Sequence, residues 1–169
     1  PGTEPIQGTP HEHPWHSRWK QIQNSGFDLT NKFVITQVRN PWTWALSLYH
    51  QEQHAIAIKQ WWVKDFTLRT FPEWLHYHYT HSTKLQHADN WYDPSIDVTI
   101  RLEHRAEDLE PIWYHLSEEP RPDLMPECWE NFSYDYHHPS WYTDPIMEQQ
   151  VQHLFKDDFR LFYPGLENV

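Results

Sequence analysis

Apolar residues fall into short, separated runs, and the spacing within each run predicts an element. Residues 33–38 (Phe, Val, Ile, Thr, Gln, Val) are rich in β-branched side chains and read as a strand, which Arg39, Asn40 and Pro41 bring to an end. Proline is favoured in the first helical turn, so a helix is expected to start at Pro41 or Trp42 and to run through Leu46, Leu48 and Tyr49 toward Trp62. A further helix is expected over residues 71–79, with Pro72 in its first turn, and residues 96–102 alternate in the manner of a second strand. Beyond it, Leu109, Ile112, Trp113 and Leu116 recur at i, i+3, i+4 and i+7, the spacing of one apolar helix face. Pro120, Pro122, Pro126 and Pro139 make residues 118–141 an extended connection. The last helix begins between Thr143 and Pro145 and places Met147, Val151, Leu154, Phe155 and Phe159 on one stripe.

The order is therefore strand, helices, strand, helix. Two strands joined by a long helical crossover pair in parallel, since a hairpin cannot join a parallel pair. The expected fold class is α/β, a parallel sheet flanked by helices. Residues 1–31 carry Pro10, Pro14 and Gly26 and read as an irregular arm with one short helix around residues 15–22; residues 32–169 form the α/β domain.

Composition narrows the partners. With 169 residues and 38% apolar content the chain can bury one core, which points to a single such domain. A formal net charge of −11 excludes a generally basic surface for nucleic acid or anionic membrane, so any anion site is local. No apolar run approaches the length of a membrane span. Cys128 is the only cysteine, which rules out a disulfide within the chain and favours a cytoplasmic location.

The first strand-to-helix junction holds the candidate chemistry. Arg39 at the strand end, a helix N-terminus behind it and Ser47 two turns along offer a charged fork and a hydroxyl to a phosphate. An arginine, Asn-Pro, an aromatic, then serine eight residues after the arginine and a tyrosine close behind (Arg39, Asn40, Pro41, Trp42, Ser47, Tyr49) resembles the 3'-phosphate-binding motif of sulfotransferases. These enzymes move a sulfuryl group from 3'-phosphoadenosine-5'-phosphosulfate (PAPS) to an acceptor. Residues 96–103 followed by Glu107, Asp108 and Leu109 are similar to that family's strand ending in an acidic residue before a helix, and residues 141–163 look like its closing helix.

The resemblance, which covers most of residues 33–163, implies a P-loop-kinase-like sulfotransferase fold. It also implies PAPS or its product 3'-phosphoadenosine-5'-phosphate (PAP) as the bound nucleotide, with Arg39 and Ser47 on the 3'-phosphate. The acceptor would be a hydroxyl or amine, carbohydrate being the class to test first, and no metal is required. A second basic residue is usual in the family where Trp44 stands here. The family's lysine-bearing loop for the 5'-phosphosulfate has no counterpart either, since Gly8, Thr9 and Pro10 lack the lysine and place a proline where the cradle would continue. Two readings follow: a fold whose N-terminal element is missing from this sequence, or a divergent protein that kept the shell. Family members commonly take the acceptor's proton with a histidine or glutamate upstream of the arginine; His11, His13 and His16 occupy that interval, and register favours His13.

Two other classes compete. His11, His13 and His16, like His76, His78 and His81, show HxHxxH spacing suited to a His-rich metal-binding protein, although i and i+2 on a helix point to different faces. A non-catalytic interaction protein on a degenerate sulfotransferase-like fold would instead present some of the 11 Trp and 9 Tyr residues to a partner.

Overall fold

The computed structural model of the chain describes residues 19–26, 28–60, 65–81, 85–115 and 141–166. A short helix α1 (Trp19–Asn24) buries Trp19 and precedes strand β1 (Ile35–Val38). The long helix α2 (Pro41–Ala57) follows, then α3 (Phe71–Thr80) and the single turn α4 (His87–Asn90). Strand β2 (Val98–Arg101) leads through a 3-10 turn (Leu102–His104) into α5 (Arg105–Asp108) and α6 (Glu110–His115). The last two helices are α7 (Pro145–Leu154) and α8 (Lys156–Phe162).

β1 and β2 pair in parallel, with Ile35 opposite Val98 and Val38 opposite Arg101, so mixed α/β character and parallel pairing are both present. The carboxylate of Asp97 accepts the Val34 N–H at 2.8 Å, and the Asp97 N–H donates to Val34 O at 3.0 Å, which fixes the register at the entry to the ladder. Both strands point their carboxyl ends at the same edge, where the chain turns into α2 on one side and the 3-10 turn on the other.

The core lies between α2, α3, α7 and α8. Leu46 of α2, Trp74 and Leu75 of α3, Val151 of α7 and Phe155 at the α7–α8 junction are all essentially removed from solvent. Burial of a side chain the size of Leu46 or Phe155 contributes about 1.5–3 kcal/mol. Aromatic rings make up much of this interior: Tyr49 meets Phe71 at 5.3 Å and Trp42 meets Phe159 at 5.3 Å. Among the described residues, no helix is long and apolar enough to cross a membrane.

Three elements depart from the pattern-based expectation. The helix expected to reach Trp62 stops at Ala57, because Lys59 adopts φ 53° and closes a Schellman turn. Its N–H donates to Ile56 O at 3.1 Å and that of Gln60 to Ala55 O at 2.9 Å. A lysine in this left-handed position carries none of the usual glycine signal. The helix expected from the Leu109, Ile112 and Trp113 face is divided at Leu109, since Pro111 supplies no N–H to the carbonyl of Glu107. The closing helix is likewise two, with Phe155 at φ −119° between them, yet every residue of the expected stripe from Met147 to Phe159 is buried.

Candidate functional site

The corner where β1 meets α2 is built by its own sequence. Val38 is buried and is the last paired residue of β1, so Arg39 emerges at the carboxyl edge of the sheet. Asn40 caps the helix: its side-chain oxygen accepts the Trp42 N–H at 2.9 Å, and its carbonyl accepts the Trp44 N–H at 2.8 Å. Pro41 occupies the first helical position, where a missing N–H costs nothing. The α2 N-terminus therefore forms beside Arg39, and the partial positive charge of a 17-residue helix faces the same edge.

Thr43 joins the parts. Its hydroxyl accepts the Arg39 Nε–H at 3.2 Å and donates to Asn40 O at 3.0 Å, with Glu103 Oε1 a longer alternative acceptor at 3.3 Å. The guanidinium is thus drawn to the Thr43 side of α2. Ser47, half-buried, lies one turn farther along that side, because residues four apart on a helix share a face. The structure therefore brings the two residues singled out for the 3'-phosphate, Arg39 and Ser47, to one side of one helix with Thr43 between them. His13 lies outside the described residues.

Glu103 ties the corner to the rest of the fold. From the 3-10 turn after β2, its carboxylate accepts the Asn40 N–H at 3.0 Å and the Tyr163 hydroxyl at 2.7 Å. Burial, and then the bond to Glu103, push the Tyr163 hydroxyl far above its ordinary range, so it remains a donor. Glu103 is a structural clamp here, in keeping with a residue at a strand end. Arg101, the other arginine at this edge, is committed to Asp108 through Nε at 2.9 Å and a terminal nitrogen at 2.7 Å. Burial would raise the Asp108 carboxyl, but the bonds from Arg101 outweigh it and hold it below the usual carboxylate range. Of the two strand-end arginines, Arg39 is the one placed at the helix N-terminus.

Trp44, standing where the resemblance implies a second cation, has a packing role. Its indole N–H donates to Leu85 O at 3.2 Å and its ring lies 4.7 Å from that of His87, so it anchors the segment leading into α4.

The histidines at 76, 78 and 81 diverge. His76 is exposed and approaches the Gln150 amide at 3.4 Å, His78 is buried against Glu52 at 3.3 Å, and His81 meets Tyr77 O at 2.7 Å. The bond with His78 does most to hold the Glu52 carboxyl below its ordinary range, helped by the Trp74 indole N–H at 2.8 Å against an opposing effect of burial. Among the described residues, no group of three or more His, Cys, Asp or Glu side chains converges as a metal site would require. The HxHxxH run from His11 to His16 lies outside the described residues.

Pattern reading missed Thr43, Tyr163 and a His87–Asp158 pair. Thr43 was accessible, since it stands four residues from both Arg39 and Ser47. Asp158 also left a trace, an acid at i+4 from Leu154 and i−4 from Phe162 on an otherwise apolar stripe. Tyr163 left none, because its partner is 60 residues away. No family model, curated protein or solved structure matches the chain.

Proposed function

We propose that this chain is a PAPS-dependent sulfotransferase domain of P-loop-kinase-like type, transferring a sulfuryl group to a hydroxyl or amine acceptor, with carbohydrate the class to test first. The observation that carries this reading is the alignment of Arg39, Thr43 and Ser47 along one side of α2, at the carboxyl edge of a parallel strand pair. Ligands of open α/β sheets bind at that edge. A phosphate there would meet the Arg39 guanidinium, held by Thr43, the Ser47 hydroxyl and the positive end of α2, which together supply both charge and donors. Glu103 brings negative charge close to the same corner, but its oxygens are engaged by Asn40 and Tyr163.

Sulfuryl transfer depends on in-line positioning and on neutralising the leaving phosphate. In this reading Arg39 and Ser47 do the positioning by holding the nucleotide at its 3'-phosphate, away from the reacting sulfur. Calorimetric titration with PAP tests it. The expected result is one site per chain, with affinity lost in Arg39→Ala and reduced in Ser47→Ala. Absence of binding to the folded chain would overturn the nucleotide reading and favour an interaction protein on a related fold.

A further inference from the structure

A carboxylate stands at the anion corner itself. Glu103 leaves the sheet edge on the 3-10 turn after β2, and the residue is exposed. Its Oε1 accepts the Asn40 N–H at 3.0 Å and lies 3.3 Å from the Thr43 hydroxyl, the same hydroxyl that accepts the Arg39 Nε–H at 3.2 Å. Its Oε2 accepts the Tyr163 hydroxyl at 2.7 Å. One hydroxyl therefore links the guanidinium that would attract an anion to a carboxylate that would repel one. An ionised carboxyl has about four lone-pair sites and donates nothing. The bonds to Asn40 and Tyr163 hold Glu103 in place and leave it acceptor capacity to spare.

Several elements bring charged or titratable groups to Glu103. Arg39 follows β1, and Tyr163 follows α8. Arg101 ends β2 and is bonded to Asp108 of α5. Both act on the Tyr163 hydroxyl, after the larger effects of burial and of Glu103. His104 and Arg105 come next in sequence, and His104 turns to Glu107 at 3.3 Å. Near neutral pH the arginines stay charged, Asp108 stays ionised and Tyr163 keeps its proton. Of these groups, His104 is the one to control for.

We propose that Glu103 sets the specificity of this corner: it admits a phosphate monoester, which can carry a proton for it, and rejects a sulfate, which cannot. The proposal rests on the nucleotide reading above. A phosphate monoester gives up its second proton near a pH of about 6, so a protonated form is at hand around neutrality. That form offers its oxygens to Arg39 and Ser47 and its O–H to a Glu103 oxygen, a charge-assisted bond. A sulfate has no proton to give and sets its oxygens against the carboxylate, a like-charge contact that discriminates by repulsion. PAPS carries a phosphate monoester at its 3' end and a fully ionised phosphosulfate at the other. Glu103 therefore orients the donor, turning the sulfuryl-bearing end away from the corner that holds the 3' end.

Calorimetry comparing PAP with the analogue that carries sulfate in place of its 3'-phosphate tests this. The ratio of the two affinities cancels the 5'-phosphate, which both ligands share and which titrates in the same range. On the unsubstituted chain PAP is expected to bind about tenfold or more tightly than the analogue at about pH 6, the size of one charge-assisted hydrogen bond. The preference should shrink by about pH 8, as the monoester loses its proton. Glu103→Gln puts a group that can donate where an acceptor stood, so it should bind the sulfate analogue more tightly and lose the decline with pH. His104→Gln should keep both the preference and the decline. Equal binding of the two ligands to the unsubstituted chain at about pH 6 would overturn the role of Glu103, whether or not the variant folds. So would a Glu103→Gln chain with the full preference, or a decline that disappears in His104→Gln. A folded chain that binds neither ligand at either pH would instead overturn the nucleotide reading beneath it.

Discussion

Two carboxylates in this molecule do the same job in different surroundings. Glu103 and Asp158 each accept bonds from a backbone N–H and from a side chain distant in sequence, and each joins the C-terminal helical region to an earlier part of the chain. Glu103 keeps contact with solvent, whereas Asp158 has none. Water can replace part of what is lost when Glu103 is removed. Asp158 is closed off from solvent, so its removal leaves the His87 and Ala88 N–H groups and His87 Nδ1 without their acceptor. Burial, more than the number of bonds, decides what each clamp contributes.

The sharpest way to break the comparison is Asp158→Ala, which is expected to lower the free energy of unfolding by about 3–5 kcal/mol in urea titration, the cost of removing one partner of a buried ionic cluster. A loss no larger than that for Glu103→Ala would show that burial does not separate the two sites. Next in size is Arg39→Ala, expected to weaken PAP binding by about 1.5–3 kcal/mol with little change in stability, since it removes charge-assisted bonds to a ligand. Tyr163→Phe follows, at about 1 kcal/mol of stability in the same urea assay, because a buried hydroxyl bond is lost while the ring's packing remains.

The smallest expected effect is on pH dependence. Burial lowers His50 from its ordinary 6.5, and Glu52 is lowered from 4.5 chiefly by the His78 bond. In both cases the unfolded chain takes up a proton before the folded one as the pH falls. Stability is therefore full above about pH 6.5, declines below it through His50, and declines again below about 4.5 through Glu52. Both groups are only partly buried, so solvent screening holds each contribution to about 1 kcal/mol or less. Thermal melting from pH 7.5 to 4 checks this, and His50→Gln should remove the upper part of the slope while leaving the lower.

Much of the architecture was legible in the residues because it depends on local rules. A β-branched run ending at Arg39, Asn40 and Pro41 carries its own stop and start signals, and the Met147 to Phe159 stripe names its buried face whether one helix or two present it. Helix ends were less legible. The Ala57 stop depends on Lys59 in a conformation that glycine usually supplies, and the break at Leu109 depends on Pro111, whose effect the apolar spacing outweighed.

The candidate corner was half legible. Arg39 and Ser47 follow from spacing along one strand-to-helix unit, and a single helix face was enough to bring Thr43 between them. Sequence alone thus determined the elements, the parallel pairing and the side of α2 that Thr43 and Ser47 share, all of which follow from periodicity and from rules acting over a few residues. Only the tertiary structure decided that Glu103 and Tyr163 brace that corner, and that Asp158 holds His87 through its backbone N–H and Nδ1. Those contacts join residues 60 to 71 positions apart, and their strength comes from exclusion of water, which no local pattern encodes.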